Sequence, residues 1–199
     1  MNVRKLTGIL AGLVVLAMQA APPLAPSTFQ IDPVHSSVTF KIRHIVSKVE
    51  GRFREFSGSV VGDPASRAGV SVDLTIKTAS IDTGNDMRDK HLRSADFFDA
   101  EKNPEITFKS SKIVSQGGDR YEVMGTFTMH GVSKEIAVPV TFNGIGKDPK
   151  GGEHAGFSVA TKLNRKDYGI TFNQVLDSGG MMLGDEVEIS VEIEAVKKG

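Results

Sequence analysis

The chain has 199 residues, 39% of them hydrophobic and 24% charged, with 24 basic side chains balanced by 24 acidic ones. That length suits one globular domain, and the lack of a basic excess argues against a nucleic-acid partner and against a polybasic membrane patch. Cysteine is absent, which excludes disulfides, thiolate nucleophiles and cysteine metal sites.

Arg4 and Lys5 precede an apolar run from Leu6 to Met18, and Gln19-Ala20-Ala21-Pro22-Pro23 follows it. A positive start, a short apolar centre and small residues behind it describe a secretory signal peptide, whereas a spanning helix needs roughly twenty apolar residues. Residues 1–21 are therefore expected to be a cleavable signal peptide, with an uncleaved anchor as the alternative. The protein is expected to be periplasmic or secreted. No cysteine follows the run, so a lipoprotein anchor is excluded. Removing the first twenty residues takes Arg4 and Lys5 and no acid, leaving a slight acidic excess.

From residue 36 onward, apolar and polar side chains alternate, the period of half-buried antiparallel strands. Ser36 to His44 sets Val38, Phe40 and Ile42 against Thr39, Lys41 and Arg43. Gly51 to Val61 carries Phe53, Phe56 and Val60; its beat slips near Phe56-Ser57-Gly58, which predicts a bulge at the glycine. Val70, Val72, Leu74 and Ile76 mark a third strand. There the alternation stops. Thr83-Gly84-Asn85-Asp86 resembles a capping box with Asp86 in the Glu position, and the pairs Asp86/Lys90 and Asp89/Arg93 stand at i,i+4 with the acid first. A short helix is predicted over residues 86–95, running into Phe97-Phe98.

Strands resume at 105–114 (Ile106, Phe108), 121–130 (Tyr121, Val123, Phe127, Met129), 136–143 (Ile136, Val138, Val140, Phe142) and 157–163 (Phe157, Val159, Leu163). The last, 185–196, sets Val187, Ile189, Val191, Ile193 and Ala195 against Glu188, Ser190, Glu192 and Glu194. The expected fold is all-β: an eight-stranded antiparallel barrel with one short inserted helix. Several strands are longer than the five or six residues usual in sandwiches, and the connections are of hairpin scale, which favours an up-and-down barrel. The acidic row would be misplaced on lipid and would crowd charge inside a small bore, which disfavours an outer-membrane barrel. An apolar interior can hold a greasy ligand; a filled core is the alternative.

Chemistry-bearing motifs are scarce. None of His35, His44, His91, His130 and His154 stands in a His-Glu-x-x-His or His-x-His pattern, and no nucleophile elbow, P-loop or dinucleotide fingerprint occurs. No catalytic residue, metal ligand or cofactor is assigned. His35 and His130 are expected to hold turns or strand ends through hydrogen bonds.

Several blocks together resemble the YceI-like family over residues 29–196. They are Ile31-Asp32-Pro33-Val34-His35-Ser36 with Val38, Phe40 and His44; Ser80-Ile81-Asp82-Thr83; and Arg88-Asp89-Lys90-His91-Leu92-Arg93-Ser94-Ala95-Asp96-Phe97-Phe98. Pro104-Glu105-Ile106-Thr107-Phe108, Gly125 with His130-Gly131-Val132, Asn164-Arg165-Lys166-Asp167-Tyr168-Gly169, and Gly184-Asp185 with Val187 and Ile189 complete the match. The Arg-Asp-x-His-Leu block with its Phe-Phe is the specific one. Phe29 departs from the family, whose members often have Tyr or Trp there.

The resemblance implies a single lipocalin-like barrel domain over 28–197, usually exported and often dimeric. It also implies binding of a long polyisoprenoid chain, of the polyprenyl-phosphate or isoprenoid-quinone type, and no established catalytic activity. Such a ligand needs apolar walls, each buried methylene being worth roughly 0.8 kcal/mol. The alternation offers Phe40, Ile42, Phe53, Leu74, Ile76, Phe108, Phe127, Phe142 and Phe157 as wall; Leu92, Phe97 and Phe98, on and after the helix, join them. A head group needs polar contacts at a mouth, for which Arg88, Asp89, His91, Arg93, Arg165 and Asp167 are the candidates, a guanidinium meeting a phosphate bidentately. The competing role for Arg88 and Asp89 is pairing with barrel-end backbone or with each other. Met181 and Met182 are a candidate pliable gate. The leading expectation is a non-enzymatic isoprenoid-lipid carrier or store that makes transient membrane contact and forms a homodimer. Its rivals are a packed barrel acting through its surface in adhesion or stress response, and an enzyme acting on a lipid head group through His91, Asp89 and Arg93.

Overall fold

The structure is a computed structural model that describes residues 27–63 and 68–198; the expected signal peptide, residues 1–21, lies outside the described residues. The strands are β1 (Thr28–Ile31), β2 (Ser37–His44), β3 (Ser47–Phe53), β4 (Phe56–Asp63), β5 (Ala68–Lys77), β6 (Ile81–Asp82), β7 (Glu105–Ser115), β8 (Arg120–Met129), β9 (Val132–Lys147), β10 (Glu153–Asn164) and β11 (Leu183–Lys197). One α-helix, α1 (Asp86–Arg93), stands between β6 and β7.

Three pairs of segments are single strand paths interrupted midway. β11 pairs with β2 along most of its length (Val191↔Val38) and with β1 at its end (Ala195↔Ile31). β3 pairs with β2, and β4 continues from it to pair with β1 and β5. β6 carries the path of β5 onward to β3 (Ile81↔Phe53). With each path taken once, eight antiparallel strands close into a barrel, the β1–β11 pairing completing the ring.

Local chemistry explains the interruptions. Pro33 cannot donate to a ladder. Around it, Asp32 N–H donates to Glu194 O (2.8 Å), and the Ser36 hydroxyl both donates to Glu194 O (3.2 Å) and accepts from Glu194 N–H (3.0 Å). A side chain thus stands in for the missing strand backbone. In the second path the expected bulge at Gly58 is not there: β4 runs in unbroken register with β5 from Phe56↔Ile76 to Val61↔Ser71. The slip lies at Arg54–Glu55, because Phe53 and Phe56, three residues apart, are both buried inside. Gly58 serves a close approach instead; a Cβ there would sit 2.2 Å from Asp73 O. β1 is too short for alternation to reveal it.

The helix also differs from expectation. Asn85, not Thr83, is the N-cap, its side chain accepting from Arg88 N–H (3.0 Å). The backbone N–H and hydroxyl of Thr83 instead donate to Asp89 Oδ1 (2.9 and 2.5 Å). Arg93 Nη1 donates to the carbonyls of Ala79 (3.2 Å) and Ile81 (3.1 Å). Asp89 and Arg93 therefore tie the helix to the barrel rather than to each other. The helix ends at Arg93, where the Ser94 hydroxyl (2.7 Å) and backbone N–H (3.0 Å) both donate to the His91 carbonyl.

The alternation sorts the two faces as expected. Val187, Ile189, Val191 and Ile193 face the interior. Outside, Glu188 meets Lys48 (2.6 Å), Glu186 meets Lys162 (2.8 Å), and the Ser158 hydroxyl donates to Glu192 (2.6 Å). Such pairs add little individually. Together they give an outer face of charge, the reverse of a lipid-embedded barrel.

The two ends are unlike. One has short turns, such as Asp148–Gly152, above a packed floor of Phe29, Val60, Ala155 and Ala195. Ala155 and Ala195 are paired across β10 and β11, and their small side chains leave room for the Phe29 ring. The other end carries the long connections, residues 78–104 with α1 and residues 165–182.

Candidate ligand cavity

A cavity of about 670 Å³ occupies the barrel. It runs from Val60, Val72, Phe157 and Ile193 above the floor to His44, Thr83, Met87, Arg88, His91, Gln174 and Met182 at the other end, where several of these residues are exposed. Its volume falls within the roughly 300–1,000 Å³ of small-molecule sites. The bore is hollow rather than filled.

All the expected wall residues line it: Phe40, Ile42, Phe53, Leu74, Ile76, Leu92, Phe97, Phe98, Phe108, Phe127, Phe142 and Phe157. Their rings lean on one another, which holds the wall open. Phe53 contacts Phe40 (centroids 5.8 Å) and, edge-on, Phe98 (5.9 Å); Phe142 contacts Phe157 (5.5 Å). Gly51 makes the first contact possible, since a Cβ there would lie 2.4 Å from Phe40 Cζ.

The 165–182 connection caps part of the open end. Arg165 is 3% exposed, and its guanidinium donates to the carbonyls of Gly184 (2.9 Å), Ile170 (2.9 Å) and Phe172 (2.8 Å), with Asp185 Oδ1 at 3.4 Å. Burial lowers its pKa, and the Asp185 carboxylate opposes that. Tyr168 is buried edge-on to Phe127 (5.4 Å), and burial raises the pKa of its phenol. His130 Nδ1 lies 2.9 Å from Tyr168 O, so this histidine does hold a turn. On the helix side His91 stacks edge-on with Phe97 and Phe172 (5.0 Å each), with its Nε2 2.9 Å from Asp96 Oδ2.

The expected head-group residues divide. Arg88 and His91 line the mouth; Arg88 also donates from Nε to Thr83 Oγ1 (2.7 Å) and from Nη2 to Thr83 O (2.9 Å). Arg165 borders the cavity with its donors turned to backbone carbonyls. Asp89 is buried against Thr83, Arg93 is spent on carbonyls, and Asp167 lies outside near Lys134 (3.7 Å). The three do not border the cavity: a helix of two turns shows only one face to the bore and leaves Asp89 and Arg93 off it, and Asp167 stands on the outer side of the 165–168 segment.

Residues not proposed for the site from sequence also line it, among them His44, Thr83, Gln174, Ile170 and Phe172. For the last two, the every-other spacing of Tyr168, Ile170 and Phe172 in a loop is the only trace. Met182 lines the cavity, while Met181 is exposed.

One grouping among the described residues could ligate a cation: Asp32, His35 and Glu194, with one donor atom each within 4.8 Å of the others. It stands on the outer face at the floor end, and His35 Nδ1 is already 2.7 Å from Asp32 Oδ2. Beside it, His154 bridges Glu194 (2.8 Å) and Asp148 (3.2 Å).

A closed antiparallel barrel, hollow along its axis and capped at one end by an inserted helix, defines a lipocalin-like protein with an internal apolar cavity. Residues 29–195 match the YceI-like domain. The chain belongs to the YceI-like family. It is similar to a UPF0312 protein of Vibrio cholerae serotype O1, 38% identical over 185 residues, covering 92% of this chain and 94% of that one. Among solved structures, BcnA of Burkholderia cenocepacia superposes with a TM-score of 0.73 at 31% identity, covering 83% of this chain and 99% of the other. A polyisoprenoid-binding domain from Saccharophagus degradans, implicated in plant cell wall breakdown, shares the fold (TM-score 0.65, 17% identity, 88% and 99% covered).

Proposed function

We propose that this protein is an exported, non-enzymatic carrier or store for an isoprenoid lipid, holding a polyprenyl or quinone-type chain inside the barrel. The carrying observation is the apolar cavity of about 670 Å³, with a packed cluster at one end and exposed lining residues at the other. Hydrocarbon has nowhere else to go in water, and roughly 0.8 kcal/mol per buried methylene makes a long chain a strong guest even after ordering entropy is subtracted. The fold shared with a polyisoprenoid-binding domain supports the same reading. Arg88, His91, His44 and Gln174 at the mouth are the groups placed to meet a phosphate or quinone head. The leader-like residues 1–21 support export.

The rival readings find less support. A packed barrel needs a filled interior. A head-group enzyme built on His91, Asp89 and Arg93 needs those three to converge, and Asp89 and Arg93 point into the scaffold.

The test is organic-solvent extraction of the purified protein followed by mass spectrometry. The expected result is a stoichiometric prenyl lipid, displaced when Ile189→Trp fills the bore. A well-folded protein that yields no prenyl lipid and takes up none when offered it would sink the proposal.

A further inference from the structure

Eight large apolar residues stand exposed among the described residues, and five of them gather at the open end: Ile45, Val46, Met87, Val175 and Met181. Their grouping is fixed by contacts. Arg43 Nη1 donates to the carbonyls of both Ile45 and Met181 (3.2 Å each), Ile45 N–H donates to Met182 O (2.8 Å), and Val175 bridges Met181. Met87, 82% exposed, borders the cavity together with Met182 and His44.

The hairpin tip is the most telling part. His44 pairs with Ser47, so Ile45-Val46 is a two-residue loop. Such loops favour Gly, Asn or Asp because they need positive φ. Here Ile45 takes φ 52, a genuine outlier for a β-branched side chain, and Val46 is 96% exposed. Local preference and burial both argue against two aliphatic residues at this tip. A feature that violates both without a packing gain points to function.

We propose that this rim is a docking surface for a lipid bilayer, seated at headgroup depth while the guest moves between membrane and bore. The inference rests on the carrier reading above. The rim continues the apolar cavity wall through Met87, Val49 and Met182, so a chain passing from bilayer to bore would not cross water. Within three positions of these five residues the exposed charges are Arg43, Lys48, Arg88 and Lys90 against Asp86 and Asp177. Anionic headgroups should therefore strengthen a contact that apolar insertion makes.

Sedimentation with vesicles of phosphatidylcholine carrying a minority of phosphatidylglycerol tests this, with solvent extraction run in parallel. The wild-type protein should pellet with vesicles. Val46→Asp with Val175→Asp should cut partitioning about tenfold or more, the scale set by withdrawing two aliphatic side chains from an apolar phase, and leave uptake of prenyl lipid offered in detergent unchanged. Ile145→Asp, an exposed site outside the rim, should leave partitioning intact. Ile45→Gly with Val46→Ser should keep or raise Tm while lowering partitioning; a merely structural role would move both together. Wild-type protein that carries extractable lipid yet stays in the supernatant overturns the docking surface and spares the carrier reading. Absence of extractable lipid and of uptake overturns the carrier reading whatever the vesicles do. A dimer that the rim variants convert to monomer would assign the rim to a second copy and overturn the membrane assignment.

Discussion

The floor and the mouth of this barrel are built from the same eight strand paths, yet one is a packed core and the other an opening. At the floor, Phe29 is 1% exposed and Ala155 and Ala195 are fully buried. At the mouth, side chains of comparable apolarity stand in water at Val46, Met87 and Val175. The strands do not make that difference. The long connections do: the 78–104 and 165–182 segments add Phe97, Tyr168 and Ile170 to the barrel's own core at the mouth end, whereas the floor closes on Phe29, Val60, Ala155 and Ala195.

The largest expected effect breaks the floor. Phe29→Ala should cost about 3–5 kcal/mol in denaturant unfolding, as for a fully enclosed ring. Phe108→Ala, on the cavity wall, should cost only about 1–2 kcal/mol, because a ring bordering a void has fewer partners to lose. Equal costs at both positions would mean the two regions are packed alike. Next comes the cap. Arg165→Ala strands three carbonyl acceptors and should cost about 2–4 kcal/mol. Hydrogen exchange should rise over residues 165–172 first, before the floor loosens.

The smallest effect is a pH dependence confined to the floor turn. Hydrogen bonds with Asp148, then Glu194, raise the His154 pKa above its ordinary 6.5. The Gly152 N–H, then His154, lowers that of Asp148 below 3.8. The histidine contribution is full below its unfolded pKa and fades as pH rises through the raised value. The aspartate contribution is full above its unfolded pKa and fades as pH falls through the lowered one. Protection of Gly151 and Gly152 from exchange, measured relative to the intrinsic rate at each pH, should therefore be greatest between about pH 4 and 6.5, and His154→Gln should flatten the profile while leaving guest content unchanged.

Much of the wall is legible in the sequence, and far less of the mouth. Phe40, Phe108 and Phe157 announce their side of the strand because period 2 is a property of extended backbone. Asp89 and Arg93 sit on the same short helix as Arg88 and His91, and nothing in their spacing says which pair faces the bore. Ile170 and Phe172 reach the cavity from a loop, where no period guides expectation. The slip attributed to Gly58 belongs to Arg54–Glu55, since a glycine missing from an alternation marks a close approach as readily as an extra residue.

By itself, then, the sequence determined which face of each strand is apolar, because that follows from local periodicity; where the helix interrupts the sheet, because i,i+4 charge pairs mark it; and that the outer face is charged, because the acidic row suits neither lipid nor a narrow bore. Only the tertiary structure decided that the bore is hollow. A cavity depends on how side chains from every strand meet once Ile31 pairs with Ala195 and the ring closes, and that sum is written at no single position.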